Sequence, residues 1–320
     1  MIDENPNLVS PKISVILVVF NNERYIEQSI YSVLNQDYEN FELIVHDDGS
    51  TDATPNILKK FEKLDNFKVV YGIHTGNIGR NRNLLAMMSS GSVLAFIDSD
   101  DIWRVNKLSS QVKYINDFSL VCCNASIIDD NSTVIKDTYF PDQKSDMQIT
   151  LKELLTTNYI LTSSVVIRRE SFFRYGGFEE TLGFRGEDYL LWLEVSENSR
   201  IVFMNSNLLD YRVHSSNLSY KNDQERIKLL KRTVEIRSRY VNIETKSIKK
   251  ASLKGCAIVS GELSKLYYKN HEYTISYNYS IYFLKWYSPK LSLRYLKFLF
   301  ITFFLLLLKL MSRGNKSKKL

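Results

Sequence analysis

Three acidic side chains lie within four residues at Asp98-Ser99-Asp100-Asp101, directly after an apolar run. Neighbouring carboxylates repel one another, so a cation or hydrogen-bond donors must balance their charge. Carboxylate oxygens suit hard divalent cations such as Mg²⁺ and Mn²⁺, which also bind phosphate oxygens. The motif therefore predicts either a divalent-metal site or a solvated acidic turn that caps the next helix, and its spacing alone leaves both open.

Two further segments combine polar side chains with turn residues. The segment 46–52 (HDDGSTD) places two carboxylates before a glycine, and its Ser, Thr and Asp residues can also cap a helix. The segment 76–83 (GNIGRNRN) has two glycines followed by two arginines, where a helix is expected to begin. Arginine and a helix N-terminus both favour phosphate, so this segment is a candidate phosphate contact; the alternative is a solvated helix face.

The elements that carry these segments alternate between strand and helix. Their predicted bounds are strands at 13–20, 41–45, 67–71 and 92–97 and helices at 23–36, 51–64 and 79–89. Strand-helix-strand units of this length predict a parallel sheet with right-handed connections. Ligands of open α/β sheets bind at the carboxyl ends of the strands, and both acidic segments fall at such ends.

Beyond residue 105 the pattern is less regular. The predicted elements are a helix to about 118, strands at 120–124, 163–168, 201–204 and 208–213, a helix at 187–196, and a helical region at 222–282. We therefore expect an α/β fold, with a Rossmann-like, mostly parallel sheet flanked by helices and followed by a helical C-terminal region.

Composition excludes several classes of protein. Of the 320 residues, 44% are hydrophobic and 24% charged, which is typical of a globular chain and not of a disordered or disulfide-rich one. The cysteines, Cys122, Cys123 and Cys256, have no metal-ligand spacing and suit a reducing compartment. The polar N-terminus lacks the pattern of a secretory signal, so export by that route is not expected.

The net charge of +6 is unevenly distributed. Residues 285–320 include nine Lys or Arg and no Asp or Glu, so the basic character belongs to the C-terminal end. A nucleic-acid-binding protein carries its basic surface on the folded body, and nucleic acid is therefore not an expected partner.

The C-terminal tail, residues 286–320, contains the apolar segment FLFITFFLLLL at 298–308. As a helix, eleven to fourteen apolar residues span ~16–21 Å, which is less than the ~30 Å hydrocarbon core of a bilayer. We expect the tail to lie in an anionic membrane surface, peripherally, on the cytoplasmic face of the plasma membrane. The alternative, a buried C-terminal helix, would leave the positive charges of the tail without acidic partners.

Four segments follow one another at strand-helix spacing within residues 13–103: VILVVFNNERYI, VHDDGSTDAT, GNIGRNRN and FIDSDDIW. GEDYLLW at 186–192 and YRVH at 211–214 come later in the chain. Together they resemble the family 2 glycosyltransferases with the GT-A fold, which use nucleotide-activated sugars; the two later segments are similar to the family's Glu-Asp motif and to a distal Tyr-Arg-x-His element. The resemblance covers about residues 12–218. Val18 stands where many members have proline, and Arg80 where a small residue is common.

The resemblance implies roles on the donor side of a site. Phe20 and Glu23 would line the nucleoside pocket, and Asp48 would accept a hydrogen bond from uracil or another base. Arg82 would reach the diphosphate, and Asp98 would contact the ribose or the metal.

The resemblance also implies metal and acceptor residues. Asp100 would be the direct ligand of Mn²⁺ or Mg²⁺, and His214 would reach the metal or the phosphates. Asp188 would be the general base, with Glu187 and Trp192 shaping the acceptor side. Taken without the resemblance, the acidic pair 187–188 also fits favourable first-turn charges of a helix, His214 a structural histidine, and Trp192 a core residue.

The resulting functional hypothesis is a metal-dependent inverting glycosyltransferase. It would move a sugar from a nucleotide-sugar, with a UDP-sugar expected, to a hydroxyl of a glycan or polyprenyl-linked glycan in surface polysaccharide biosynthesis. One carboxylate base opposite the leaving group gives direct displacement, and no second carboxylate is identifiable as a nucleophile.

Two alternatives differ in class. A non-catalytic sugar-nucleotide-binding protein would not need both acidic pairs, 98/100 and 187/188. A nucleotidyltransferase on a related sheet would be expected to have a glycine-rich basic loop after the first strand, whereas this chain has FNNE at 20–23.

The predicted division of the chain follows these segments. It comprises an N-terminal extension (1–11), a glycosyltransferase domain (12–218) with a nucleotide-binding half (12–104) and an acceptor half (105–218), a helical extension (219–285) and the membrane-associating tail (286–320).

Overall fold

A computed structural model of the chain describes residues 10–181, 186–214 and 223–286. The chain divides into two compact units, residues 1–154 with 158–214 and residues 155–157 with 215–320. Apart from Trp286, the predicted tail lies outside the described residues, so its membrane role stays a prediction. Within the described ranges, no helix is both long enough and apolar enough to cross a bilayer.

The first unit contains one mixed β-sheet in the order β3-β2-β1-β4-β9-β6-β10-β5, with β7 beside β6 and β8 beside β10. The strands are β1 (Ile13–Val19), β2 (Phe41–Asp47), β3 (Phe67–Tyr71), β4 (Val93–Asp98), β5 (Ile102–Trp103), β6 (Leu120–Ile128), β7 (Val134–Lys136), β8 (Met147–Ile149), β9 (Val166–Arg168) and β10 (Ile201–Arg212). Strands β1 to β4 are all parallel, as the sequence predicts. The second half of the sheet is mixed, because β9 runs antiparallel to both β4 and β6.

Helices connect and flank these strands. Those that begin in the first unit are α1 (Ile26–Leu34), α2 (Thr54–Leu58), α3 (Ile78–Met88), α4 (Lys107–Val112), α5 (Leu151–Thr156), α6 (Arg169–Arg174) and α7 (Glu187–Asn198), with a 3-10 helix at Thr162–Ser164. Helix α1 follows its apolar spacing, since Ile26, Ile30 and Val33 are all buried against the sheet. The sequence and the structure thus agree on the strand-helix order of the first hundred residues.

Several predicted elements differ from the structure; the helix expected to reach about residue 118, for example, ends at Val112. The helix expected to reach Leu64 is α-helical only to Leu58, because the following turns close through i to i−3 hydrogen bonds, such as Leu64 N to Phe61 O. The strands expected at 201–204 and 208–213 are one strand, β10, with register irregularities between Met204 and Leu209. The strand expected at 163–168 is confined to β9, since the residues before it form the 3-10 helix.

The second unit is helical where it is described, with α8 (Asp223–Ser238), α9 (Lys246–Lys269) and α10 (Tyr273–Trp286). Its apolar core joins α8 to α9 and includes Ile227, Val259, Leu263 and Tyr267. None of the residues proposed for chemistry lies in its described part.

At the amino end of the parallel strands, Glu42 is buried with its side chain only 3% exposed. Its Oε1 accepts hydrogen bonds from the hydroxyls of Ser14 and Ser90 and from the Ser90 amide, each at 2.7 Å, and Lys68 Nζ lies 3.1 Å from Oε2. Burial alone would raise the pKa of Glu42, but these hydrogen bonds favour the ionised form and lower the pKa to about 2. The network joins the starts of β1, β2 and β4 on the edge opposite the acidic motifs.

We expect this network to make stability depend on pH. Because the pKa of Glu42 is lower in the folded chain, its contribution is full above the ordinary pKa and is lost as the pH falls towards 2. The Glu42→Gln variant should therefore lose about 3 kcal/mol of unfolding free energy at pH 7, and the gap to the natural chain should narrow at pH 3.5. Urea unfolding at both pH values measures this, with exposed Glu39→Gln as the control. A gap that stays constant with pH would contradict the assignment.

Candidate active site

The carboxyl ends of β1 and β2 bring the predicted donor-side residues together. Phe20 directly follows β1, is 41% exposed, and stacks on the ring of His74 with centroids 3.8 Å apart. Asp48 directly follows β2 and lies beneath the loop at 74–76, which His74 begins. An aromatic face and a carboxylate thus lie at one edge of the sheet; that they line a nucleoside pocket stays a prediction.

Asp48 holds the loop at 74–76. Its Oδ1 accepts from the Thr75 amide at 2.9 Å and the Thr75 hydroxyl at 3.0 Å, its Oδ2 accepts from the Gly76 amide at 2.9 Å, and His74 Nδ1 lies 3.0 Å from Oδ2. Burial alone would raise the pKa of Asp48, but these hydrogen bonds lower it below its ordinary value. That Asp48 also accepts from a base stays a prediction.

Glu23 helps to fix the turn before α2. Its Oε2 accepts a hydrogen bond from the Ala53 amide at 2.7 Å, while Asp52 accepts from the amides of Glu23 and Thr54. The carboxylates of Glu23 and Asp52 therefore accept hydrogen bonds from backbone amides of both loops, the one after β1 and the one before α2. A direct contact of Glu23 with a nucleoside stays a prediction.

Arg82 lies on α3 and joins two carboxylates that are distant in sequence. Its NH2 donates to Asp98 Oδ1 at 2.5 Å, its NH1 donates to Glu187 Oε1 at 3.2 Å, and its side chain is 5% exposed. That Arg82 reaches a diphosphate stays a prediction. In this structure its buried guanidinium positions Asp98 and Glu187 relative to each other.

The glycine at the start of α3 permits this approach. A Cβ on Gly79 would lie 2.9 Å from the Glu179 carbonyl oxygen and 3.2 Å from Glu187 Cγ, closer than real Cβ contacts normally are. Glu187 itself begins α7 after Gly186, whose φ of +89° favours glycine. Burial, together with the charge of neighbouring Asp188, raises the pKa of Glu187 to about 7, against the opposing effect of Arg82.

Asp188, the predicted base, is half-buried in the first turn of α7. Its Oδ2 accepts from the Thr162 hydroxyl at 2.9 Å, and its Oδ1 accepts from the Tyr189 amide at 2.6 Å. Both bonds restrict the orientation of the carboxylate. Nothing in the sequence signals Thr162, because no motif or periodicity includes it.

Trp192, which was predicted to shape the acceptor side, lies in the core. The side chain is 0% exposed and packs edge-on against Phe178 with ring centroids 5.8 Å apart. The apolar face of α7 turns Trp192 into the core, and an effect of this residue on the acceptor side stays a prediction.

Asp100 and His214 meet as the predicted metal pair. His214 Nε2 lies 2.9 Å from Asp100 Oδ2, and both side chains are largely buried. Among the residues that the structure describes, no group of three or more His, Cys, Asp or Glu side chains could hold a metal ion. One carboxylate and one imidazole nevertheless fit a Mn²⁺ or Mg²⁺ ion whose other ligands are phosphate oxygens and water, which is how such ions commonly bind.

Arg212, at the end of β10, fixes the other end of the acidic motif. It is 0% exposed; its Nε donates to the Asp100 carbonyl at 2.8 Å, and its backbone amide donates to Asp101 Oδ1 at 2.9 Å. Its other nitrogens donate to the Asp129 carbonyl at 2.9 Å and to Gln28 Oε1 at 2.8 Å. The sequence prediction missed this role, although the Tyr-Arg-x-His element contained the residue.

Tyr25 completes the surroundings of His214. The centroid of its ring lies 4.9 Å from the centroid of the His214 ring and 4.6 Å from the guanidinium carbon of Arg212. Its hydroxyl donates to Asp130 at 3.1 Å. The segment at 20–25 therefore contacts both His74, through Phe20, and His214, through Tyr25.

With this geometry in place, comparison with known proteins is informative. The family model of glycosyl transferase family 2 matches residues 14–176. The UDP-Glc:alpha-D-GlcNAc-diphosphoundecaprenol beta-1,3-glucosyltransferase WfgD of Escherichia coli is 32% identical over 235 residues, which are 72% of this chain and 86% of that protein. The O-antigen biosynthesis glycosyltransferase WbnJ of Escherichia coli is 30% identical over 209 residues, which are 63% of this chain and 80% of that protein.

Solved structures share the fold at lower identity. Staphylococcus aureus TarS 1-349 in complex with UDP has a TM-score of 0.58 at 21% identity, covering 88% of this chain and 76% of that one. The mannosyltransferase PcManGT from Pyrobaculum calidifontis, in complex with GDP-Man and Mn²⁺, has a TM-score of 0.59 at 13% identity. The match covers 93% of this chain and 86% of that one. These likenesses confirm the predicted GT-A fold.

The buried contacts of Arg212 predict a large stability cost for its removal. The Arg212→Met variant keeps the apolar stem but removes the donor from four acceptors within 3.0 Å, which are the Asp100 and Asp129 carbonyls, Gln28 Oε1 and Ser132 Oγ. Each such loss is worth ~1–3 kcal/mol where the acceptor is buried. We expect urea unfolding to show a loss of about 3 kcal/mol or more. Exposed Arg239→Met is the control and should lose less than about 0.5 kcal/mol. Equal losses in the two variants would contradict the role given to Arg212.

Proposed function

The chain belongs to glycosyltransferase family 2, and from that premise we propose that it is an inverting, metal-dependent enzyme of surface polysaccharide biosynthesis. In this proposal it transfers a sugar from a nucleotide-sugar to a hydroxyl group of a glycan or a lipid-linked glycan. The observation that carries the proposal is the pair of ion pairs made by Arg82. Through these ion pairs, the side chain of Arg82 contacts both Asp98, on the proposed donor side, and Glu187, which precedes Asp188 in the sequence.

The donor is proposed to be a UDP-sugar. Support comes from Phe20 and Asp48 at the strand ends, from the UDP-glucose in the name of WfgD, and from the UDP complex of TarS. The proposed acceptor, a sugar on a polyprenyl diphosphate, follows the diphosphoundecaprenol in the name of WfgD.

In the proposed mechanism, Asp188 takes the proton from the acceptor hydroxyl. The hydrogen bonds from Thr162 and Tyr189 orient its carboxylate and leave lone pairs free for that proton. Burial and the charge of Asp188 raise the pKa of Glu187, which shifts this carboxyl towards its uncharged form and lessens the repulsion beside Asp188, while Arg82 favours the charged form. The acceptor oxygen then attacks the anomeric carbon opposite the leaving diphosphate, which inverts its configuration.

Asp100 and His214 are proposed to hold Mn²⁺ or Mg²⁺. When bound, such an ion stabilises the negative charge that develops on the departing diphosphate. Asp98, oriented by Arg82, is proposed to contact the ribose or the same ion.

The nucleotidyltransferase alternative is not supported by the loop after β1. Its side chains hold the turn at 50–54, since Asn21 Oδ1 accepts from the Thr51 amide at 2.7 Å and Glu23 accepts from the Ala53 amide. Such a loop is not the glycine-rich, basic phosphate loop that this class would need.

We also propose that the tail at 286–320 binds the cytoplasmic surface of the plasma membrane, on the evidence of its composition. The full chain should sediment with anionic liposomes in a salt-dependent way, whereas a chain ending at residue 285 should stay in the supernatant. Sedimentation of the shortened chain with the liposomes would overturn this assignment.

The base is tested with Asp188→Asn, which keeps the shape of the side chain but removes the basic oxygen. We expect kcat to fall by about 10²–10⁴-fold while the Kd for UDP is unchanged. Release of UDP from a panel of UDP-, GDP- and dTDP-sugars gives turnover, and calorimetry gives the Kd. Exposed Glu194→Gln on the same helix is the control. Loss of UDP binding, with turnover per bound donor retained, would instead assign Asp188 to the donor site.

The metal site is tested with Asp100→Ala. We expect the variant to lose Mn²⁺ binding in the presence of UDP, measured by calorimetry, and to lose turnover while remaining folded by circular dichroism. Exposed Asp117→Ala should retain both. Full activity of the natural chain in EDTA would contradict metal dependence.

A further inference from the structure

The 3-10 helix at Thr162–Ser164, here called the hydroxyl turn, contacts both sides of the candidate site. The Thr162 hydroxyl donates to Asp188 Oδ2 at 2.9 Å. The neighbouring Ser163 hydroxyl accepts from the backbone amide of Asp98, also at 2.9 Å. Two consecutive side chains therefore contact the proposed base and the first carboxylate-bearing residue of the acidic motif.

The hydroxyl turn is itself firmly held. All three of its residues are buried. Trp103 Nε1 donates to the Ser163 carbonyl at 2.8 Å, Gln111 Nε2 donates to the Ser164 carbonyl at 2.8 Å, and the Ser164 hydroxyl donates back to the Leu161 carbonyl at 2.7 Å. Because its backbone is anchored to the core, the turn can act as a fixed reference for the groups that it contacts.

The two hydroxyls act on different atoms. A carboxylate only accepts hydrogen bonds, so Thr162 must be the donor to Asp188, and it acts on the side chain that is proposed to take the proton. Ser163 acts on the backbone of Asp98, whose side chain Arg82 already holds. The turn thus sets the distance between base and donor side through one side-chain bond and one backbone bond.

We propose that Thr162 and Ser163 are positioning residues of the glycosyl transfer: Thr162 orients the base Asp188, and Ser163 fixes the donor-side end of β4 at Asp98. This inference rests on the proposed function, since it takes Asp188 as the base. It adds that base and donor side are aligned through a single buried turn, which explains why a segment without any motif lies at the centre of the site.

The first experiment separates the hydroxyl of Thr162 from its shape. Thr162→Val keeps the branched shape and removes the donor, and Thr162→Ser keeps the donor. We expect Thr162→Val to lower kcat by about 10- to 100-fold, the change expected for one lost hydrogen bond to a charged group, with the Kd for UDP unchanged. Thr162→Ser should stay within about threefold of the natural chain, since the hydroxyl bond is retained. Ser164→Ala is the matched control, because the Ser164 hydroxyl contacts neither Asp188 nor Asp98.

Ser163→Ala should weaken donor binding more than it lowers kcat, which is the reverse of the result expected for Thr162→Val. Without the acceptor for its amide, Asp98 loses its fixed backbone position, so we expect a higher KM for the UDP-sugar and weaker UDP binding in the presence of Mn²⁺, with a smaller change in kcat. The contrast between two adjacent residues is a readout that general loosening of the turn would not produce. Thermal unfolding of each variant identifies those that fail to fold.

A double-mutant cycle decides whether Thr162 acts through Asp188. In the Asp188→Asn background, Thr162→Val should cause no further loss of kcat, because the group it orients has lost its function. Additive losses, or equal effects of Thr162→Val and Ser164→Ala, would overturn the proposal while leaving Asp188 as the base. If Asp188→Asn alone turns over like the natural chain, the proposed function fails first, and with it the role of Thr162. The two failures are therefore distinguishable.

Discussion

The guanidinium of Arg82, buried between Asp98 and Glu187, is the interaction on which the arrangement of the site depends. Without this cation, buried or half-buried carboxylates from β4 and α7 would face one another, which is strongly unfavourable. The guanidinium also lies over the Phe178 ring at 5.3 Å, so the charge network is packed into the apolar core. Helix α3, the end of β4 and the start of α7 are thereby held in one geometry.

A second buried arginine acts at the other end of the acidic motif. Arg82 holds Asp98 through its side chain, whereas Arg212 holds the Asp100 carbonyl and the Asp101 carboxylate through its side chain and its backbone amide. Between these two anchors the Asp100 carboxylate remains beside His214. The repulsion expected of three acidic residues in four is thus offset at both ends, and a cation bound with the donor would complete the balance.

Much of the first hundred residues could be predicted because buried parallel strands and amphipathic helices leave local patterns, and acidic residues at strand ends point to a ligand edge. The roles of Arg82 and Arg212 could not, because Arg82 joins Asp98 to Glu187, which is 105 residues away, and Arg212 acts on Asp100, which is 112 residues away. Thr162 left no signal, since a short 3-10 turn has no periodicity. The burial of Trp192 could not be predicted, because a helix pattern shows which residues share a face but not whether that face meets solvent.

The most direct test of this account is a double-mutant cycle between Arg82 and Glu187, measured by urea unfolding at pH 8. Arg82→Met alone should lose about 3–5 kcal/mol, because it leaves buried carboxylates without their cation. Glu187→Gln in the Arg82→Met background should restore part of that loss, since it removes one of those charges, although the same change in the natural chain is destabilising. Losses that simply add would contradict the claim that Arg82 joins the donor side to the base side of one site.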